Sequence, residues 1–409
     1  MRWQNVMILD NDRQTKILTP NVQRLLSALH GEARVVGGAV RDVILGRKVG
    51  DVDLATTLPP DKATEMLALA GIRSEPTGID HGTITAILDH TGYEITTLRR
   101  DVETDGRHAK VVFTDDWKED AARRDFTMNA LYVDSKGTVY DYYGGIEDAA
   151  AGRVRFIGDA KERIREDVLR ILRYFRFFAY FGKEAADKSA LDACRDLAAL
   201  VPNLSVERIA REFIKLLGSE NPLPALRLMI ESGVLPYFLA EGTDVARLEK
   251  LIENENKFGA QQPPLARFSA ILPQDENISY AVARRLKLSN HDTEILCALA
   301  GLPKILHEKF APAEVRALIY RYGADNCRIA AFLNGGRIAE ILPLIASWKV
   351  PSFPIRGEDV IKLGVPEGRE VGEMLQAIEQ WWVAGDFKAN RAACLKQIHV
   401  LKDAKRNHK

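Results

Sequence analysis

One segment limits the fold of this 409-residue chain more than any other: residues 37–56, GGAVRDVILGRKVGDVDLAT. An apolar stretch at 33–36 precedes its two glycines, and an amphipathic stretch at 41–45 follows them. Glycine tolerates a sharp turn between a strand and a helix, and the first N–H groups of that helix are free to bind an anion. The segment therefore predicts a strand, a phosphate-binding turn and a helix, as in a mixed α/β domain.

The same segment ends in two aspartates, Asp51 and Asp53. In a predicted strand at 51–55, their spacing places both carboxylates on one face. Two such carboxylates repel each other unless a cation lies between them, and Mg²⁺ with substrate phosphates is the usual occupant. Arg41, one turn after the glycines, adds a charged donor. A surface strand with two solvated aspartates is the alternative, which the preceding glycines and Arg41 disfavour. The spacings of a Walker loop and of GxGxxG are absent.

Signals for β-strands are concentrated in the first third of the chain, with further candidates at 82–88, 93–98 and 130–133. The polar stretch 99–117 predicts a mobile loop that ends in a short strand. After about residue 150, strand signals nearly vanish and apolar residues recur at helical spacing, first at Val168, Leu172, Phe175 and Ala179. The predicted fold class is α+β: an α/β head domain followed by an elongated all-α neck, body and tail.

The charge balance excludes two classes of protein. Lys and Arg number 57, as do Asp and Glu, so the chain is neither a polycationic nucleic-acid coat nor an acidic solvating protein. No apolar run approaches the length of a membrane helix, so no membrane association is expected. Four cysteines lie far apart without a CxxC pair, which is typical of a reducing compartment. We predict a cytoplasmic protein.

A second segment with functional character is residues 122–131, ARRDFTMNAL. Its adjacent Arg123 and Arg124, together with Asn129, are suited to hold a triphosphate and a ribose, while Phe126 and Met128 pack inward. Taken alone, the segment favours the simpler interpretation of a charged helix or loop.

A third segment, residues 163–177 (RIREDVLRILRYFRF), is predicted to be helical. Asp167 and Arg170 are three residues apart and so are neighbours on a helix, and Arg173 and Arg176 continue the spacing. A carboxylate beside a guanidinium offers acceptors and donors that can read the edge of a base. The alternative is an ion pair on a solvated helix face.

These three segments, in this order, closely resemble the bacterial-type tRNA nucleotidyltransferase (CCA-adding enzyme) and poly(A) polymerase family. The resemblance is dense over residues 30–220 and continues more weakly to 354–375. It implies that Asp51 and Asp53 bind two catalytic Mg²⁺ ions, with Glu94 as a further candidate carboxylate. It also implies nucleoside triphosphate contacts from Gly37, Gly38, Arg41, Arg123 or Arg124, and a ribose-side role for Asn129.

The resemblance assigns the third segment to base selection. Asp167 and Arg170 match the pair that chooses CTP and then ATP without a nucleic-acid template, with support from Glu166, Arg173 and Arg176. In the next motif, Glu207, Arg208 and Glu212 are implied to stabilise the neck. Asp141 with Gly144 and Gly145 resembles the hinge between head and neck, and 99–117 resembles the element that switches from C to A addition.

The expected function is the Mg²⁺-dependent addition of CMP, CMP and AMP to the 3′ end of tRNA, with CTP and ATP as substrates and no obligate protein partner. Relatives that add only C, only A or a poly(A) tail, and a non-catalytic RNA-binding relative, remain alternatives. The expected domains are a head at 1–143, a neck at 144–217, a body at 218–330 and a tRNA-binding tail at 331–409. No phosphohydrolase activity is expected, because the dipeptide His291–Asp292 lacks convincing histidine partners.

Overall fold

The computed structural model describes residues 7–105, 108–183, 185–305, 311–335 and 338–406. The chain divides into two compact units, Met1–Thr243 and Asp244–Lys409. The first unit combines strands and helices, and the described part of the second contains helices. This agrees with the predicted α+β class, whereas the four-part domain division stays a prediction.

The strands of the first unit form two sheets. Their bounds are β1 Met7–Ile8, β2 Ala33–Val36, β3 Asp53–Thr56, β4 Arg73–Gly78, β5 Thr83–Leu88, β6 Thr91–Thr97, β7 Arg99–Asp105, β8 His108–Phe113, β9 Leu131–Val133 and β10 Thr138–Asp141. In the described residues, the larger sheet has the order β1-β10-β9-β2-β3-β6-β5-β4, and β7 and β8 form a separate antiparallel pair. The pair β3 and β6 is parallel, and the other neighbours are antiparallel.

The helices of the first unit alternate with these strands and then follow them. Their bounds are α1 Asn11–Ile17, α2 Pro20–Ala28, α3 Gly38–Ile44, α4 Pro60–Leu69, α5 Trp117–Ala122, α6 Gly145–Ala151, α7 Ala160–Glu166, α8 Leu169–Phe181, α9 Lys188–Asp196, α10 Val206–Leu217 and α11 Leu223–Glu231. Short 3₁₀ turns lie at Ile79–His81, Thr127–Asn129, Ala198–Asn203 and Leu235–Tyr237.

The large sheet separates two apolar clusters. On one face, Val35 of β2 and Leu54 of β3 join a core that also contains side chains of α2 and α3. On the other face, Val36, Ala55 and Tyr132 form a smaller cluster. This alternation follows from the two-residue period of a strand. The second face is the one that carries the candidate active site.

The prediction of a loop at 99–117 is wrong for most of that stretch, while its mobility stays a prediction. Strands β7 and β8 form an antiparallel hairpin there, with Arg99 opposite Phe113, and Trp117 begins α5. Residues 106 and 107 lie outside the described residues. The predicted short strand at the end of the stretch corresponds to the end of β8.

The second unit contains helices α12 Ala246–Phe258, α13 Pro264–Ile271, α14 Glu276–Arg285, α15 Asn290–Ile305, α16 Pro312–Tyr322, α17 Ala324–Asn334, α18 Ile338–Ser347, α19 Gly357–Lys362, α20 Arg369–Ala384 and α21 Arg391–Arg406. A buried ion pair joins Arg267 of α13 to Glu255 of α12 at 2.6 Å.

The dipeptide His291–Asp292 lies in the first turn of α15, where Asp292 accepts a hydrogen bond from Ser289. Among the described residues, none of the helices combines the length and apolar character required to span a membrane.

Candidate active site

A row of side chains on one face of the large sheet leads to the predicted carboxylates. Tyr132 of β9 is opposite Val36 of β2, and Val36 is opposite Asp53 of β3. On the parallel strand β6, Ile95 is opposite Leu54 of β3, so Glu94 is the neighbour of Asp53. Glu94 therefore lies beside the catalytic candidate, on the same face of the sheet.

Asp51 is positioned differently from the prediction. The strand begins at Asp53 rather than at Asp51, so Asp51 lies in the loop before β3 and strand periodicity does not place its carboxylate. Its charge nevertheless acts on Asp53. Burial raises the pKa of Asp53, the negative charges of Glu94 and Asp51 raise it further, and Arg124 opposes them.

This electrostatic situation fits a divalent cation. The repulsion between these like charges raises the pKa of Asp53, and a bound cation would reduce that repulsion. Carboxylate oxygens are the ligands that Mg²⁺ prefers. In the described part of the chain, no three His, Cys, Asp or Glu side chains are grouped so as to hold a metal ion. Asp51 and Asp53 could hold such an ion together with substrate oxygens, and the role of Glu94 as a third active-site carboxylate stays a prediction.

A cleft of about 560 Å³ opens beside Asp53. Most of the predicted site residues line it: Gly37, Gly38, Arg41, Asp53, Arg124, Asn129, Asp167, Arg170 and Arg173. Asp51, Glu94, Arg123 and Arg176 do not line it. Its remaining lining residues are Val36, Asp125, Leu169, Phe177 and Arg208.

The glycine turn at the cleft needs glycine at its first position. Gly37 has φ = 77° and ψ = −128°, a combination that side-chain-bearing residues rarely adopt, and α3 begins directly after it. Four residues after Gly37, the Arg41 guanidinium lies over the ring of Phe181 at 4.1 Å and pairs with Asp42 at 2.8 Å. Burial lowers the pKa of Arg41, and Asp42 opposes that effect.

A chain of hydrogen bonds fixes Asn129 in the cleft. Arg41 Nη1 donates to Asn129 Oδ1 at 2.6 Å, and Asn129 Nδ2 donates to Asp125 Oδ1 at 3.0 Å. Arg173 donates from Nε to Asp125 Oδ2 at 2.8 Å. Burial raises the pKa of Asp125, but Arg173, Asn129 and the N–H of Phe126 together hold it below its ordinary value. Asp125 is therefore an ionised centre that orients both an amide and a guanidinium.

The two adjacent arginines share one carboxylate. Arg123 Nε donates to Asp120 Oδ1 at 2.8 Å, and Arg124 Nη2 donates to Asp120 Oδ2 at 3.1 Å. The Tyr132 hydroxyl also donates to Asp120 Oδ2, at 2.8 Å. Arg124 lines the cleft, whereas the backbone carbonyl of Arg123 accepts a hydrogen bond from Arg170 Nη2 at 3.1 Å.

The helix predicted at 163–177 is broken at its proposed base-reading residue. Helix α7 ends at Glu166 and α8 begins at Leu169, so Asp167 has an extended conformation between them. Its carboxylate accepts from Arg208 Nη2 at 3.0 and 3.1 Å rather than from Arg170. Arg170 instead donates to Glu166 Oε2 at 2.6 Å. The prediction that Asp167 and Arg170 are neighbours within one helix is therefore wrong, although both residues line the same cleft.

Comparison with known proteins relates the chain that forms this cleft to a family. The family model described as the poly A polymerase head domain matches residues 33–155, and the one described as a probable RNA and SrmB-binding site of polymerase A matches residues 186–245. The mitochondrial CCA tRNA nucleotidyltransferase 1 of Mus musculus is 34% identical over 92% of this chain and 89% of its own length. The chain belongs to the tRNA nucleotidyltransferase and poly(A) polymerase family.

Other relatives agree with this membership. The CCA-adding enzyme of Levilactobacillus brevis is 31% identical over 90% of this chain and 93% of its own length. The crystal structure of the Bacillus stearothermophilus CCA-adding enzyme in complex with CTP aligns with a TM-score of 0.74 and 27% identity, covering 96% of this chain and all of that one. The fold of this nucleotidyltransferase therefore follows the family along nearly its whole length.

The predicted hinge of the nucleotidyltransferase is tightly packed. The Asp141 carboxylate accepts from the N–H groups of Gly145 and Ile146, both at 2.9 Å, which caps the start of α6. Gly144 has a left-handed φ of 78°. A β-carbon added at Gly145 would lie 2.1 Å from the carbonyl oxygen of Thr127, so only glycine fits there.

Sequence reasoning missed Asp125 as a cleft residue and assigned Arg208 only to neck stability. Asp125 directly follows Arg123 and Arg124 in the sequence, and this adjacency was the signal that could have identified it as a cleft residue. Arg208 is 41 residues from Asp167, and no local pattern joins them. Arg176, expected to support base selection, pairs with Glu212 at 2.5 Å and therefore ties α8 to α10.

Proposed function

We propose that this nucleotidyltransferase adds CMP, CMP and AMP, from CTP and ATP, to the 3′ end of tRNA and releases pyrophosphate. The observation that carries the proposal is the single cleft that joins Asp53, the arginine Arg124, and the base-selecting candidates Asp167 and Arg170. A cation site, a triphosphate site and a base-reading site in one cavity are what nucleotide transfer without a template requires. Curated relatives that match most of the chain carry this activity in their names.

Asp51 and Asp53 would hold the divalent ion, and we propose two Mg²⁺ ions, as the family resemblance implies. When bound, such ions make the RNA 3′-hydroxyl more acidic and neutralise charge on the triphosphate. Asp53 supplies a carboxylate at the start of β3 whose position is fixed by pairing with β2. Removing its charge should therefore stop transfer without unfolding the sheet.

The triphosphate would lie against Gly37, Gly38, Arg41 and Arg124, because these residues line the cleft near Asp53. Glycine leaves the backbone accessible, and the two guanidinium groups supply charged donors that match phosphate oxygens. Asn129 would contact the ribose. Its amide is oriented by Arg41 on one side and Asp125 on the other, so it presents a fixed group to the sugar.

Base selection would rest on Asp167 and Arg170. Cytosine and adenine both present an exocyclic amino donor beside a ring-nitrogen acceptor, whereas uracil and guanine present a carbonyl beside a ring N–H. A carboxylate that accepts and a guanidinium that donates therefore suit C and A and disfavour U and G. Arg208 holds the Asp167 carboxylate at the cleft wall, and Glu166 holds Arg170.

The expected domain roles complete the proposal. We propose that the head at 1–143 performs transfer, the neck at 144–217 selects the base, and the body at 218–330 and tail at 331–409 contact tRNA. The cytoplasm is the proposed compartment, although relatives named mitochondrial are among those that match.

The test uses tRNA that lacks its terminal CCA, incubated with labelled CTP, ATP or both, and the products are sized on a sequencing gel. We expect two additions with CTP alone and a third only when ATP is also present. Two C without a following A, a lone A, or a long A tail would identify the CC-adding, A-adding or poly(A) relatives instead. RNA binding without any addition would favour the non-catalytic alternative.

A pair of matched variants tests the role of the carboxylate. Asp53→Asn should abolish addition, whereas Asp61→Asn, which alters an exposed aspartate of α4, should retain normal rates. Both variants should keep the circular dichroism spectrum of the wild type. Near-normal turnover by Asp53→Asn would contradict the proposed active site.

A further inference from the structure

One carboxylate beside the cleft has no assigned part in the reaction. Asp120, in α5, is 1% exposed and accepts from Arg123, Arg124 and the hydroxyl of Tyr132 at 2.8, 3.1 and 2.8 Å. The backbone N–H of Arg99 also donates to it, at 3.4 Å. A buried carboxylate with this many donors is an organising centre, because each donor is held by the same two oxygens.

The carboxylate remains ionised in this environment. Burial alone would raise the pKa of Asp120, but Arg124, Arg123 and Tyr132 outweigh burial and hold the pKa below its ordinary value. The same contacts raise the pKa of Arg124 against the effect of its burial. Both partners are therefore charged, and the hydrogen bonds between them are of the strong, charge-assisted type.

Asp120 also determines where the Arg124 guanidinium points. Nη2 of Arg124 is held by Asp120, and Nη1 lies toward the glycine turn, 3.5 Å from where a β-carbon on Gly37 would be. The ring of Tyr132 lies beneath the guanidinium at 5.5 Å. Tyr132 is fixed in turn by strand pairing opposite Val36 and by an edge contact with Trp117 at 5.2 Å.

We propose that Asp120 is a positioning residue that fixes Arg124 for the triphosphate of the incoming nucleotide, while it also holds Arg123 beside it, an inference that rests on the function proposed above. Asp120 does not touch the nucleotide itself. Because CTP and ATP have the same triphosphate, loss of Asp120 impairs the use of both nucleotides to the same extent. The choice between CTP and ATP, which is proposed to depend on Asp167 and Arg170, does not change.

Two effects of removing this charge oppose each other. Neutralising Asp120 makes the arginine pair more positive, which favours a polyanion, but it also frees two long side chains that were held in one geometry. The open, polar cleft screens the added attraction, whereas the lost order must be restored each time a triphosphate binds. Weaker binding is therefore the expected net result.

The experiment compares Asp120→Asn, Tyr132→Phe and the control Asp116→Asn. Asp116 is an exposed aspartate four residues earlier, whose carboxylate caps α5 by accepting from the N–H of Lys118, and asparagine caps equally well. Each variant is assayed for KM and kcat with CTP and with ATP, and for inhibition by inorganic tripolyphosphate. Binding of magnesium tripolyphosphate is also measured by calorimetry, and folding by circular dichroism and thermal unfolding.

For Asp120→Asn we expect KM for CTP and for ATP, and the inhibition constant of tripolyphosphate, to rise together by about tenfold, as loss of a charge-assisted hydrogen bond implies. The kcat and the preference between CTP and ATP should stay within about twofold of wild type. Tyr132→Phe should shift the same constants in the same direction by less, and Asp116→Asn should match the wild type.

Unchanged KM values and tripolyphosphate affinity in a folded Asp120→Asn variant would overturn the proposal, as would a shift confined to one nucleotide. If Asp120→Asn fails to fold, Tyr132→Phe decides, because it removes one donor and keeps the ring. A wild-type protein that adds no nucleotide would refute the proposed function instead. Calorimetry would then still show whether Asp120 governs tripolyphosphate binding.

Discussion

The ion pair between Asp167 and Arg208 allows the base-selecting site to be tested quantitatively. Arg208 Nη2 lies 3.0 and 3.1 Å from the two Asp167 oxygens, and the side chains are 28% and 25% exposed for Asp167 and Arg208, respectively. Without Arg208, the Asp167 carboxylate loses the group that directs it. The substitution Arg208→Ala should therefore weaken base selection although Arg208 itself need not touch the base.

The size of the effect follows from this partial burial. Exposed ion pairs contribute about 0.2–1 kcal/mol, and breaking a fully buried pair costs about 3–5 kcal/mol. A pair that is about one quarter exposed, with a single donor nitrogen, should be near the lower of these ranges, at about 1 kcal/mol, or a factor of about five. We expect Arg208→Ala to lower the ratio of kcat/KM for CTP over UTP by about this factor.

The assay is a double-mutant cycle on tRNA lacking CCA, with CTP and UTP as competing substrates. Asp167→Ala should lower discrimination more than Arg208→Ala, and the double variant should match Asp167→Ala within about twofold, because Arg208 acts through Asp167. Arg211→Ala, an exposed residue on the same helix, is the control and should match wild type. Independent, multiplying effects of the two substitutions would refute the proposed coupling.

Three further outcomes are expected. Gly37→Ala should lower the free energy of unfolding by about 1–3 kcal/mol, measured by urea denaturation, because φ = 77° strains alanine. Arg173→Ala should lower it by about 2–3 kcal/mol, since Asp125 stays buried while Arg173 is 31% exposed. The pKa of Asp125 is lowered in the folded protein, so the stability from this pair is present above about pH 4 and is lost as pH falls further; Arg173→Ala should reduce that loss. EDTA should stop nucleotide addition without changing circular dichroism, and added Mg²⁺ should restore it; activity in EDTA would contradict the metal site.

Local signals predicted the parts of the fold that are determined locally. The strand at 33–36 has the predicted bounds, and Gly37 occupies the turn after it with the expected glycine-only conformation. These features depend on residues a few positions apart, which is the range over which sequence patterns report structure.

Features set by distant contacts could not be predicted from the same patterns. Helical periodicity continues through Asp167, but the chain breaks there and the carboxylate pairs with Arg208. The two-residue strand β1 is defined by its pairing with β10 alone, and the polar stretch 99–117 pairs with itself as β7 and β8. Asp120 had no signal of its own, because its importance comes from being buried beside Arg123 and Arg124.

In the proposed reaction, one cleft selects C twice and then A without a template. The most direct test is to sequence the 3′ ends of tRNA lacking CCA after reaction with the wild-type protein and all four nucleoside triphosphates. We expect ends that finish in CCA and extend no further with the wild type, and unmodified ends with Asp53→Asn. Ends that carry U or G, end in runs of A, or remain unextended by the wild type would contradict it.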